Sequence, residues 1–168
     1  MLDRLGAAWF EIRQKRDLDQ PMNGLIIPGG ESTVMNKLLR ELDLYDTLRE
    51  QIQNGLPVFG TCAGLILLAK QIDGGIPCFS VMDIRVKRNA YGRQLGSFRT
   101  KGWVGGIEGE VPLTFIRAPR IVKVHGNAKA LAEVDGRIVA ARQDKQLGVT
   151  FHPELDDDTR LHEFFLQM

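Results

Sequence analysis

Gly60-Thr61-Cys62-Ala63-Gly64 is a G-x-C-x-G pentapeptide between the apolar run Pro57-Val58-Phe59 and the apolar run Leu65 to Ala69. A nucleophile held on a sharp strand-to-helix turn has this form, with sulfur here in place of a serine hydroxyl. The turn is so tight that side chains two residues either side of the nucleophile would collide, hence the glycines. A cysteine at a helix N-terminus meets the positive end of the macrodipole and unpaired N–H groups, which favour thiolate over thiol. The N–H of Ala63 would then point at an oxyanion developing on the substrate. Cys78, in Ile-Pro-Cys-Phe, has no such setting and reads as a core residue.

A thiolate nucleophile needs a base, and the chain offers three histidines. His125 precedes Gly126-Asn127 and reads as a surface residue in a turn. His162 lies in a terminal amphipathic segment and reads as structural. His152 directly follows the apolar stretch Leu147 to Phe151 and precedes Pro153-Glu154. Strand ends are where α/β folds place their chemistry. The H-x-E spacing lets Glu154 orient the imidazole from one rigid turn, as the third member of a Cys-His-Glu triad. In Pro28-Gly29-Gly30-Glu31-Ser32-Thr33, two glycines after a strand let backbone amides face a ligand, and Ser32 or Thr33 is expected to cap the following helix. This is not a phosphate-binding P-loop, since no Gly-Lys-Ser/Thr follows. Asp156-Asp157-Asp158 reads as a helix cap that complements the macrodipole rather than a metal site.

The elements that position these residues follow from periodicity. Gly24 to Pro28 and Pro57 to Gly60 are short, fully apolar runs of the kind found in buried strands. Met35, Leu38, Leu39 and Leu42, then Leu44, Leu48 and Ile52, recur at helical spacing before Asn54-Gly55. An apolar helix is expected over 63–71. Met82, Ile84 and Val86 alternate with charged residues, the period of a half-solvated strand. Further strands are expected at 113–116, 121–124, 137–141 and 147–151, and an amphipathic helix at 157–168 with Leu161, Phe164 and Phe165 on one face. The chain opens in what reads as a helix end (Leu2, Leu5), then a strand over 8–13. The class is α/β: a mixed sheet covered by helices.

The chain has 168 residues, enough for one domain that buries roughly two-thirds of its unfolded surface without disulfide or metal. Lysine and arginine (22) nearly cancel aspartate and glutamate (21), which argues against a polyanion-binding surface. Apolar runs fall far short of a bilayer span, and no signal-peptide core opens the chain. Two cysteines without spaced partners make neither a disulfide framework nor a zinc site. A cytoplasmic protein with no metal or cofactor, binding neither nucleic acid nor membrane, is expected.

Gly-Gly-Glu-Ser-Thr-Val-Met, Phe-Gly-Thr-Cys-Ala-Gly-Leu-Ile-Leu-Leu-Ala-Lys, Arg-Asn-Ala-Tyr-Gly-Arg-Gln, Phe-Ile-Arg-Ala-Pro and Phe-His-Pro-Glu-Leu together resemble class I (triad) glutamine amidotransferases. More closely, they are similar to the glutaminase subunits of pyridoxal 5′-phosphate synthase, the PdxT/SNO family. The resemblance runs from about Gly24 onward. It implies a flavodoxin-like single domain that hydrolyses L-glutamine to glutamate and ammonia, the ammonia passing to a separate, barrel-shaped synthase subunit. Matched motif by motif, it implies Cys62, His152 and Glu154 as the triad, and Gly30, Glu31, Ser32, Arg88, Ile116 and Arg117 as glutamine contacts. Backbone N–H groups of Gly29, Gly30 and Ala63 would hold the oxyanion. The family begins with a strand and a Leu-Gln-Gly turn, and this sequence has neither. That departure raises an alternative: a catalytically silent domain that binds glutamine or docks on the synthase. A different cysteine hydrolase sharing the elbow, peptidase-like or DJ-1-like, is the third reading.

Overall fold

The structure is a computed structural model, and it describes residues 1–88 and 97–168. Residues 89–94 of the Arg-Asn-Ala-Tyr-Gly-Arg-Gln motif therefore lie outside the described residues; Arg88 lies within them. The order of elements begins with 3₁₀ turns at Asp3–Leu5 and Lys15–Asp19, then β1 (Leu25–Ile27), α1 (Ser32–Glu41), α2 (Tyr45–Gln53), β2 (Val58–Thr61), α3 (Ala63–Leu68), β3 (Ala69–Asp73) and β4 (Met82–Lys87). There follow β5 (Ser97–Trp103), β6 (Glu110–Ile116), β7 (Arg120–Val124), β8 (Lys129–Val134), β9 (Arg137–Gln143), β10 (Gln146–Val149), a 3₁₀ turn at Pro153–Leu155 and α4 (Arg160–Leu166).

Eight strands form one mixed sheet in the order β1-β2-β10-β9-β7-β4-β3, with β8 paired to β9; β5 and β6 form a separate antiparallel ribbon. β1, β2 and β10 run parallel, and β10 meets β9 antiparallel. The α/β class with a mixed sheet is as expected. Successive residues of β2 serve opposite faces, as a strand's two-residue period requires. Val58 packs with Leu25, Leu48, Ile52 and Leu65 on one side. Phe59 packs with Phe115, Phe151, Leu161 and Phe165 on the other. α3 is apolar all round, and every one of its residues is buried, the pattern of a helix enclosed within a core. Full burial of side chains such as Phe59 and Leu65 contributes about 1.5–3 kcal/mol each. No helix among the described residues is long and apolar enough to cross a membrane.

Several boundaries differ from expectation. The helix after the elbow stops at Leu68, because Ala69 turns to extended geometry and its segment pairs parallel with β4. The expected strand at 8–13 does not form: no strand among the described residues offers a ladder there, and Trp9 is 51% exposed with its indole N–H donating to Asp3. The opening helix end is a 3₁₀ turn. The terminal helix is shorter than 157–168, but Leu161 and Phe165 are buried as its periodicity requires. β3, β5 and β8 are additional strands.

Candidate active site

Three parallel strands end side by side, and each end carries one of the motifs. Ile27 pairs with Gly60 and Val149 with Thr61, so the Pro28-Gly29-Gly30 turn, the Cys62 elbow and the His152 turn share one margin of the sheet. The N–H of Cys62 donates to the carbonyl of Val149 at 2.9 Å, fixing the elbow to β10.

The elbow glycines are sterically forced. A Cβ on Gly60 would lie 2.6 Å from the carbonyl carbon of Gly64, and one on Gly64 would lie 2.0 Å from the carbonyl oxygen of Ile27. Between them Cys62 has φ 50° and ψ −101°. A non-glycine residue held in so sparsely populated a region costs about 1–3 kcal/mol. Cys62 precedes α3 directly, so its thiol stands at the start of a helix.

His152 and Glu154 are joined within their turn, His152 Nδ1 lying 2.7 Å from Glu154 Oε1. The imidazole is largely covered, its side chain 13% exposed. Its pKa is raised to about 10, first by hydrogen bonding to Cys62, then by hydrogen bonding to Glu154, with burial acting in the opposite direction. The Gly29 backbone lies against the same ring: a Cβ there would come 2.4 Å from His152 Cε1. The structure thus brings Cys62, His152, Glu154 and Gly29 together. Gly30, next in the turn, has φ +154° and faces Met35 Sδ.

Glu31, not Ser32 or Thr33, is the N-cap of α1. Its carboxylate accepts from the Val34 N–H at 2.8 Å and from the Thr33 hydroxyl. These donors hold the Glu31 carboxyl below the usual carboxylate range, Thr33 first, with a smaller effect from the Arg88 guanidinium. Ser32 is buried. Ile116 is 37% exposed at the end of β6, and Arg117 follows it with φ 42°. The N–H of His152 donates to the carbonyl of Thr114 at 2.8 Å, so the β6 end that carries Ile116 and Arg117 is tied to the histidine turn.

The remaining residues separate cleanly. Cys78 is buried, and burial pushes its thiol up to about 11. His162 is buried edge-on against Phe59. His125 is half-buried, its Nε2 enclosed, rather than a plain surface residue. The three acids do not act as one cap. Asp156 accepts from the Thr114 hydroxyl, Asp157 pairs with Arg4, and Asp158 accepts from the Arg160 side chain and main-chain N–H. Among the described residues no cluster of three or more His, Cys, Asp or Glu could hold a metal ion. Thr114 and its link to Asp156 went unmarked in the sequence, where a threonine within Val-Pro-Leu-Thr-Phe-Ile reads as strand filler.

Known proteins resemble this chain over nearly its whole length. A relative from Methanocorpusculum labreanum, pyridoxal 5′-phosphate synthase subunit PdxT, is 58% identical over all of this chain and 88% of its own. The protein of the same name from Desulfitobacterium hafniense is 52% identical over 99% of this chain and 83% of its own. A crystal structure of a glutamine amidotransferase superimposes with a TM-score of 0.93 at 43% identity, covering 99% of this chain and 88% of that one. The SNO glutamine amidotransferase family matches residues 1–168, and the chain belongs to that family.

Proposed function

We propose that this chain is the glutaminase subunit of a pyridoxal 5′-phosphate synthase, and that Cys62, His152 and Glu154 hydrolyse L-glutamine to L-glutamate and ammonia. The observation that carries the assignment of roles is the ring of His152, bonded on one side to Glu154 and raised to a pKa of about 10 chiefly by Cys62. An imidazole held beside a sulfur at a helix start is the arrangement of a nucleophile with its base.

In the first half-reaction the Cys62 Sγ attacks the side-chain amide carbon of glutamine, and the carbonyl oxygen takes the negative charge. In this reading the N–H groups of Ala63 and the Gly29-Gly30 turn receive that oxyanion. His152 gives its proton to the departing nitrogen, the C–N bond breaks, and ammonia leaves a γ-glutamyl thioester on Cys62. In the second, His152 takes a proton from water, the hydroxide adds to the thioester, and the C–S bond breaks to release glutamate and restore the thiolate. Glu154 holds the ring through Nδ1, leaving Nε2 for both transfers, and stabilises the imidazolium. Gly30, Glu31, Ser32, Arg88, Ile116 and Arg117 border the site as glutamine contacts. Ammonia passes to the separate synthase subunit, which the names of the relatives imply. The test is ammonia release from L-glutamine with the cognate synthase subunit added: turnover by the wild type that Cys62→Ala abolishes is expected. Turnover that survives Cys62→Ala, or none by the folded, synthase-bound wild type, refutes the assignment.

A further inference from the structure

We propose that Thr114 is a positioning residue for the reaction, a clamp in β6 that holds both ends of the five-residue turn carrying His152 and Glu154. This rests on the triad proposed above. At one end, the His152 N–H donates to the Thr114 carbonyl at 2.8 Å. At the other, the Thr114 hydroxyl donates to Asp156 Oδ1 at 2.8 Å. Between these two fastenings the main-chain hydrogen bonds of the turn, among the described residues, run within it: Leu155 N–H to the carbonyl of His152 at 3.2 Å, and Asp156 N–H to that of Pro153 at 3.3 Å. Both are long for main-chain bonds.

The Asp156 contact is not incidental packing. Thr114 is 5% exposed, and the second carboxylate oxygen, Asp156 Oδ2, is buried with no hydrogen-bond partner. Enclosing an under-satisfied carboxylate is unfavourable. It keeps that place while the threonine donor fills its other oxygen. Without the hydroxyl, the carboxylate gains by swinging to water and takes the C-terminal half of the turn with it. Asp157 is tied from outside by Arg4, but that pair is solvent-exposed and holds weakly. Glu154, midway along the turn, would lose the alignment that keeps its 2.7 Å contact with the ring. The same β6 ends in Ile116, with Arg117 next in the chain, so one strand leads to both the histidine turn and the neighbouring proposed substrate contacts.

The test compares Thr114→Val, Thr114→Ser, Asp156→Ala and the Val/Ala double variant as glutaminases with the synthase subunit present, thermal melts confirming folding. Expected are a roughly 10-fold loss of kcat for Thr114→Val and for Asp156→Ala with KM within about twofold, and no further loss in the double variant. Thr114→Ser, which restores the hydroxyl, returns kcat to within about twofold of wild type. In parallel, the His152 ring titration followed by NMR in the isolated chain moves toward the ordinary histidine range in Thr114→Val. That readout needs no turnover, so it separates failure of the clamp from failure of the triad. Wild-type kcat and an unmoved titration in Thr114→Val overturn the proposal. So do losses that multiply in the double variant, or a Thr114→Ser as impaired as Thr114→Val. Should Thr114→Val not fold, Asp156→Ala against Thr114→Ser decides by the same criteria.

Discussion

Replacing Gly29 by alanine tests how closely the glycine turn gauges the position of the imidazole. The φ of Gly29 lies outside the left-handed region, so an alanine backbone is unstrained there, and its N–H remains available to an oxyanion. The whole perturbation is one methyl group. It would lie 2.4 Å from His152 Cε1, 3.0 Å from Nδ1 and 3.4 Å from Nε2. Carbon atoms rest at about 3.5–4.0 Å, so the ring must retreat by at least about 1 Å. Misplacing a reacting group by that much costs about 10²-fold in rate, or about 2.7 kcal/mol of transition-state stabilisation. Overpacking itself destabilises by about 1–3 kcal/mol. We expect kcat for glutamine hydrolysis to fall about 100-fold with KM little changed. The stability loss, read by denaturant melts, should vanish when His152 is also alanine, since the clashing ring is then gone. A kcat within threefold of wild type would refute the reasoning. An equal stability cost with and without the imidazole would do the same.

The raised pKa of His152 sets a sign for pH dependence. Its folded value of about 10 against an ordinary 6.5 means its proton stabilises the fold fully below pH 6.5 and loses that effect as pH rises through about 10. The Tm gap between wild type and His152→Gln should therefore close across that window; a gap that widens there contradicts the assignment. Gly64→Ala would drive a methyl onto the Ile27 carbonyl 2.0 Å away, backbone that cannot yield. Loss of cooperative folding, or a Tm drop far larger than that of Gly55→Ala, is expected. Gly55, at φ +97° in open space, would bring backbone strain alone. With its thiol pushed up to about 11 by burial, Cys78 should resist iodoacetamide at pH 8 in the folded chain. Mass spectrometry should find the label on Cys62, and equal labelling of both thiols would count against the elbow geometry.

Much of the site was legible because its determinants are local and steric. Gly60 and Gly64 cannot be anything else without collision, so the pentapeptide announces its own turn, and Glu154 reaches His152 from two residues away. The apolar runs ending in Pro28, Gly60 and Phe151 are short because each leads directly into its motif. What escaped depended on distant partners. Lys129-Ala-Leu-Ala-Glu-Val134 is rich in good helix formers, and only pairing with β9 makes it a strand. Ala69 to Gln71 continue a helical run until β4 claims them. Residues 8–13 have the composition of a strand and no neighbour to make one. The Thr114–Asp156 bond joins residues 42 positions apart, and nothing in the sequence links a threonine in an expected strand to the first of three acids read as a helix cap.

β1 is three residues long and, among the described residues, pairs with β2 alone. The elbow at the end of β2 is flanked on both sides, by β1 and β10. This margin of the sheet is therefore graded in its resistance to local opening, since peptide groups with fewer ladder partners exchange their hydrogens sooner. The nucleophile stands on the protected side of that gradient and the Gly29-Gly30 turn on the yielding side. A contact that slowed the fraying of β1 would steady the Gly29-Gly30 turn without touching Cys62.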